Sequence, residues 1–172
     1  MTTLSFRAIA PVAALTLLLS ACGGGDEGIF VDEKEPSATG LPATTTVTQA
    51  GSAALNGTYS SNNIFLNNVT KVRPIDARET CRVKFSGLVQ QGSDRVMSGD
   101  IRYIPGNNDL HTTFVSINTI EFRLEGTTGA TVNRATNRVV YTNAILNSTQ
   151  GTGLSITFSG TIPLLGDRPE GC

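Results

Sequence analysis

Leu154, Ile156, Phe158, Gly160 and Ile162 alternate with Ser155, Thr157, Ser159 and Thr161, so one face of this stretch is apolar and the other carries hydroxyls. A period of two over that length predicts a half-buried strand. A second alternation sets Cys81, Val83, Phe85, Gly87 and Val89 against Arg82, Lys84 and Ser86. Its phase places Cys81 on the buried face. Further strands are expected over residues 55–60, 64–72, 96–104, 112–124 and 138–146, and no window past Gly51 keeps a period of 3.6. Within 112–124 the parity changes: Val115 and Ile117 oppose Phe114, Ile120, Phe122 and Leu124. Either both faces are covered there or a bulge sits near Asn118.

The separators carry turn chemistry: Gln91-Gly92-Ser93-Asp94, Pro105-Gly106-Asn107-Asn108-Asp109, and residues 126–129, 133–137 and 150–153. Short loops rich in Gly, Asn, Asp and Ser between alternating runs predict an all-β fold, an antiparallel sandwich or small barrel of about seven or eight strands. Phe85-Ser86-Gly87, Met97-Ser98-Gly99 and Phe158-Ser159-Gly160 echo one another. Each glycine falls on the face with the large side chains. A groove for a ligand is one reading; the favoured one is strands curling at glycine to close a small barrel or turn a sandwich corner.

The N-terminus follows a different pattern. Arg7 precedes an apolar run over residues 8–19, broken only by Pro11 and Thr16. The run is too short to span a bilayer, which needs about 20 residues. Small residues Ser20 and Ala21 follow, as signal-peptide cleavage requires. Leu19-Ser20-Ala21-Cys22 resembles the lipobox of bacterial lipoproteins. That resemblance implies a diacylglycerol on Cys22, cleavage after Ala21 and acylation of the new amine. Multiple acyl chains hold a protein on a membrane durably where one does not. Gly23 stands where an inner-membrane retention aspartate would, so the outer membrane is the expected address, with the protein facing the periplasm.

Between Gly23 and Gly51 the chain is rich in Gly, Pro, Thr and acidic residues and poor in large apolar ones. The expected organisation is a signal peptide over 1–21, the lipidated cysteine and a flexible tether over 22–51, and an all-β domain over 52–172. Such a tether spans on the order of 30 Å. Ile29, Phe30 and Val31 interrupt it as a local apolar cluster. With lipidation using Cys22, the chain's three cysteines leave Cys81 and Cys172 as a pair. Outside the inner membrane these are expected to form a disulfide. Metal ligation by the same two lacks both CxxC spacing and a nearby histidine.

Thirteen basic residues face fourteen acidic ones, a formal net charge of -1. That balance argues against nucleic acid as a partner. Catalytic motifs are missing: no GxSxG, HExxH or SxxK occurs. His111 is the one histidine, and reads as scaffold at a strand start. Asp76, Glu79, Asp94, Asp100, Asp109, Glu121 and Glu125 could supply an acid/base pair, but read as turn residues and solvated strand faces. Asn107-Asn108-Asp109 lacks calcium-loop spacing. Lys71, Arg73, Arg78, Arg82 and Lys84 concentrate positive charge, as an anion or partner patch or simply a polar strand face. Tryptophan, the usual sugar-stacking platform, is absent.

The expected function is therefore non-enzymatic and free of cofactors and metals. It is a lipid-anchored interaction or structural module of the cell envelope, with the membrane and an envelope protein as partners. An alternative is a carrier of small apolar ligands: Leu55-Asn56-Gly57-Thr58-Tyr59 resembles the opening Gly-x-aromatic strand of lipocalin-like barrels. A carboxylate-dependent hydrolase ranks last.

Overall fold

The computed structural model describes residues 34–73 and 78–172. In chain order the strands are β1 (Ser37–Ala38), β2 (Ala43–Thr48), β3 (Gly57–Ser61), β4 (Phe65–Leu66), β5 (Thr70–Val72) and β6 (Thr80–Gln90), then β7 (Val96–Tyr103), β8 (Leu110–Ile117), β9 (Ile120–Glu125), β10 (Ala130–Asn133), β11 (Arg138–Ser148) and β12 (Ser155–Pro163). Eight of them close on themselves as an antiparallel barrel in chain order: β2, β3, β6, β7, β8, β9, β11 and β12, with β12 returning to β2. The remaining four are short edge pieces. β4 and β5 run along β6, β1 along β4, and β10 along β11. Closure satisfies the backbone groups that an open sheet edge would leave unpaired.

The inward face of each strand supplies the core. Val47, Tyr59, Val83, Phe85, Leu88, Met97, Ile101, Tyr103, Val115, Ile117, Phe122, Tyr141, Leu146, Ile156, Phe158 and Ile162 are all buried. An eight-stranded barrel is just wide enough for side chains to fill it. Here six aromatic rings occupy that space, and Tyr141 meets Phe158 edge-on at 4.9 Å between ring centroids. Two polar pairs lie inside: the Thr113 and Tyr141 hydroxyls are 2.8 Å apart, and Thr45 Oγ1 donates to Met97 Sδ at 3.5 Å. Two of the three repeated glycines fit this packing, while Gly87 faces the exposed Phe65 ring instead. A Cβ on Gly99 would come within 2.5 Å of the Phe85 ring, and one on Gly160 would run into the backbone of β2.

Several expectations need correction. The stretch read as tether, 22–51, contains β2, a full member of the barrel, in which Ala43, Thr45 and Val47 face inward. Its threonines are β-branched and suit a strand; with Thr45 inside, the alternation is hidden from a hydropathy reading. Residues 22–33, including Cys22 and the Ile29 to Val31 cluster, lie outside the described residues. In β6 the predicted phase holds from Cys81 to Phe85 and then reverses. Gly87, at φ +85°, makes a bulge that shifts the register between Phe85 and Leu88. Leu88 therefore points in and Val89 is 43% exposed. The parity change in 112–124 is neither a bulge nor a doubly covered strand. Asn118, at φ 54°, turns the chain between β8 and β9, with Ile117 opposite Ile120.

The two barrel ends are closed differently. At one, a 3-10 turn, Ala53–Leu55, receives the Tyr59 hydroxyl on Leu55 O at 2.9 Å and the Gln90 amide on Ala54 O and Asn56 O. At the other, the C-terminal segment after β12 folds over the opening. There Cys172 is joined to the inward-facing Cys81 by a disulfide, and the Tyr103 hydroxyl donates to Cys172 O at 3.0 Å. The expected pairing of Cys81 with Cys172 is present, and both residues are buried.

Burial of the tyrosines has a consequence at high pH. The phenols of Tyr59, Tyr103 and Tyr141, the chain's three tyrosines, are all raised above the usual 10.0 by desolvation. For Tyr141 the Thr113 hydrogen bond offsets part of that shift; for Tyr59 and Tyr103 nearby arginines do. Above about pH 10 the unfolded chain loses phenolic protons that the native barrel retains. The native state then binds more protons, so stability falls with rising pH, by about 1.4 kcal/mol per unit for each proton of difference. Urea midpoints should decline above that pH, and phenolate absorbance should rise together with loss of structure. Phenolate forming along a free-tyrosine curve in a still-folded protein would contradict this.

Candidate functional site

The outer wall formed by β6 to β9 gathers much of the charge singled out in the sequence. Antiparallel register sets Arg82 opposite Arg102, and Lys84 opposite Asp100, which in turn faces Phe114 and then Arg123. Asp100 lies 2.6 Å from Arg82 and 3.4 Å from Arg102. Phe114 points outward between two guanidiniums, with Arg102 at 5.9 Å and Arg123 at 5.3 Å from the ring centroid. Such stacking covers an exposed aromatic ring while fixing both cations. The run of basic residues is therefore not a uniform patch. Lys71 pairs with Glu79 at 3.4 Å, and Arg82 with Asp100; Arg73 and Arg78 are exposed beside residues 74–77, which lie outside the described residues.

The carboxylates do not assemble. Glu125 pairs with Arg123 at 3.2 Å, Glu121 accepts from Thr149 at 2.9 Å, and Asp109 accepts from the Asn107 amide in its turn. Asp94 is exposed in the β6–β7 turn, and Asp76 lies outside the described residues. His111 is half-buried at the β7–β8 irregularity, where its carbonyl accepts from Gly126 N. Among the described residues no three His, Cys, Asp or Glu side chains group as a metal site.

Concave surface lies outside the barrel. A cleft of about 530 Å³ opens where β9 and β11 pair through only two residues, Arg123 and Phe122 against Asn147 and Ser148, and the 61% exposed Ile145 lies on its rim. A larger cleft, about 720 Å³, lies at the C-terminal end against β10. Its floor is the cap just described, and it contains Arg134 and Arg168. Arg134 donates to Asn108 Oδ1 at 3.3 Å and Gly171 O at 2.9 Å. Arg168 Nη2 donates to Arg134 O and to Asn137 Oδ1, both at 2.7 Å. The charges of both arginines oppose the rise in the Tyr103 phenol, which places them beside it.

Neither arginine was singled out in the sequence. They are 34 residues apart, and their meeting depends on the C-terminal segment folding back onto the β10–β11 hairpin. The only linear hint is that Arg168 precedes Cys172, whose disulfide fixes that segment. No protein-family model matches the chain, and neither a curated protein nor a solved structure does.

Proposed function

We propose that this protein is a lipid-anchored module of the cell envelope, held on the outer membrane by acyl chains on Cys22, whose barrel works through contacts with an envelope protein. The observation that carries the choice of module over carrier is the filled interior. Tyr59, Tyr103, Phe85, Phe122 and Phe158 are each under 2% exposed, together with Leu88, Met97 and Ile101. A ligand pocket of several hundred Å³ inside the barrel would have to displace these rings. Recognition is thereby left to the outer walls and barrel ends. The resemblance at Leu19 to Cys22 supports the anchor.

Cys22→Ser tests the anchor directly. The variant should lose palmitate labelling and leave the membrane fraction or accumulate unprocessed. Normal membrane fractionation of a correctly processed Cys22→Ser protein would overturn the reading. Cross-linking in intact cells should then return a reproducible protein neighbour; co-purified lipid or metabolite in its place would return the carrier.

A further inference from the structure

We propose that the cleft at the C-terminal end of the barrel is an oxyanion-binding site, taking a carboxylate or phosphate group between Arg134 and Arg168. Two guanidiniums share one cleft, and their acceptors are neutral: Asn108 Oδ1, Asn137 Oδ1 and the carbonyls of Arg134 and Gly171, with the Tyr103 hydroxyl also bonded to Arg168. Ion pairs among the described residues involve Lys71, Arg82, Arg102 and Arg123, and none reaches Arg134 or Arg168. The neighbouring acids Asp167 and Glu170 are exposed and do not line the cleft. Two like charges lining one cleft, partly out of water, favour an anion between them.

The donors are held in place before any ligand arrives. Hydrogen bonds to main-chain carbonyls fix both side chains, so less rotamer freedom is lost on binding than at a pair of free surface arginines. Arg134 keeps Nη2 without an acceptor, and the side chains of Asn108 and Asn133, whose oxygens already accept, line the same opening with their amide N–H groups. Planar guanidinium donors match carboxylate and phosphate oxygens. The outer wall differs, because each of its arginines has a carboxylate partner, Asp100 shared by Arg82 and Arg102, and Glu125 for Arg123. The cleft is of small-molecule size, so the ligand is a small anion or the anionic end of a larger one. This site does not depend on the anchor at Cys22.

Calorimetric titration of the full chain with inorganic phosphate, and separately with citrate, at constant ionic strength tests the assignment. Saturable binding of either anion is expected. Arg134→Gln should weaken it about tenfold or more, from the loss of charge-assisted hydrogen bonds. Arg168→Lys keeps the charge but loses the fork, and should weaken binding several-fold while leaving the fold intact. Arg123→Gln, on the outer wall, should bind as the parent does. Response to phosphate alone identifies a phosphate-bearing ligand, response to citrate alone a carboxylate-bearing one, and response to both the shared chemistry. No saturable binding at millimolar concentrations overturns the site. So does binding that survives both Arg134→Gln and Arg168→Lys, or that falls equally with Arg123→Gln.

Discussion

Cys81→Ala should lower the thermal midpoint by about 10 °C or more, the largest loss expected from any substitution away from the aromatic core. The disulfide joins residues 91 apart. For a loop of that length, the entropy removed from the unfolded chain corresponds to about 4–5 kcal/mol. Alanine is preferred to serine because position 81 is fully buried, and a hydroxyl there would add a desolvation cost of its own. The consequence reaches past stability. Cys172 also accepts from Tyr103, and Gly171 accepts from both Gly106 N and Arg134, so releasing the chain end loosens the cap over the barrel opening. Cys172→Ala should match Cys81→Ala in midpoint, and each should show one more titratable thiol than the parent in the denatured, unreduced protein. A midpoint within about 2 °C of the parent would show that the bond adds little to the barrel.

Legibility in the sequence followed the physics of each strand. Strands β6, β7, β11 and β12 were readable because one face is apolar and the other polar, and a two-residue period admits few other readings. The disulfide followed from counting cysteines. β2 escaped notice because Thr45, a polar residue, sits on its inward face and is satisfied there by Met97. Thr44, Thr46 and Thr48 then made a strand look like a polar linker. The phase error in β6 arose at Gly87, where a positive-φ bulge inserts one residue and turns Val89 outward. A hydropathy pattern carries no mark of where a bulge falls.

The choice of barrel over sandwich depends on a contact that no local pattern encodes. β12 pairs with β2, with Phe158 opposite Val47, more than a hundred residues away in the chain. The same holds for the arginine cleft. Arg134 stands in the turn between β10 and β11, and Arg168 in the segment after β12. The basic residues that did stand out, from Lys71 to Lys84, stood out because they were adjacent in sequence. Adjacency along β6 put Arg82 against Asp100, whereas Arg134 and Arg168 came together only through closure of the C-terminal cap.

Phe158→Ala should cost about 3–5 kcal/mol and should leave a cavity inside the barrel. Phe158 is fully buried, opposite Val47 on β2 and Ala144 on β11, and edge-on to Tyr141. A closed barrel relaxes poorly around such a loss, because its strands are hydrogen-bonded on both sides. The space is apolar and should stay dry, as cavities lined by apolar side chains do. Benzene at saturation should therefore raise the thermal midpoint of the variant, by the stabilisation that any ligand of the native state alone confers. The parent, with its rings in place, should show no such rise. The comparison separates two accounts of the same fold. If apolar probes stabilise the parent as well as the variant, then the interior opens to ligands without mutation, and the barrel is a carrier whose aromatic side chains are its gate. If only the variant responds, the rings are permanent filling, and any recognition by this domain belongs to its outer walls and ends.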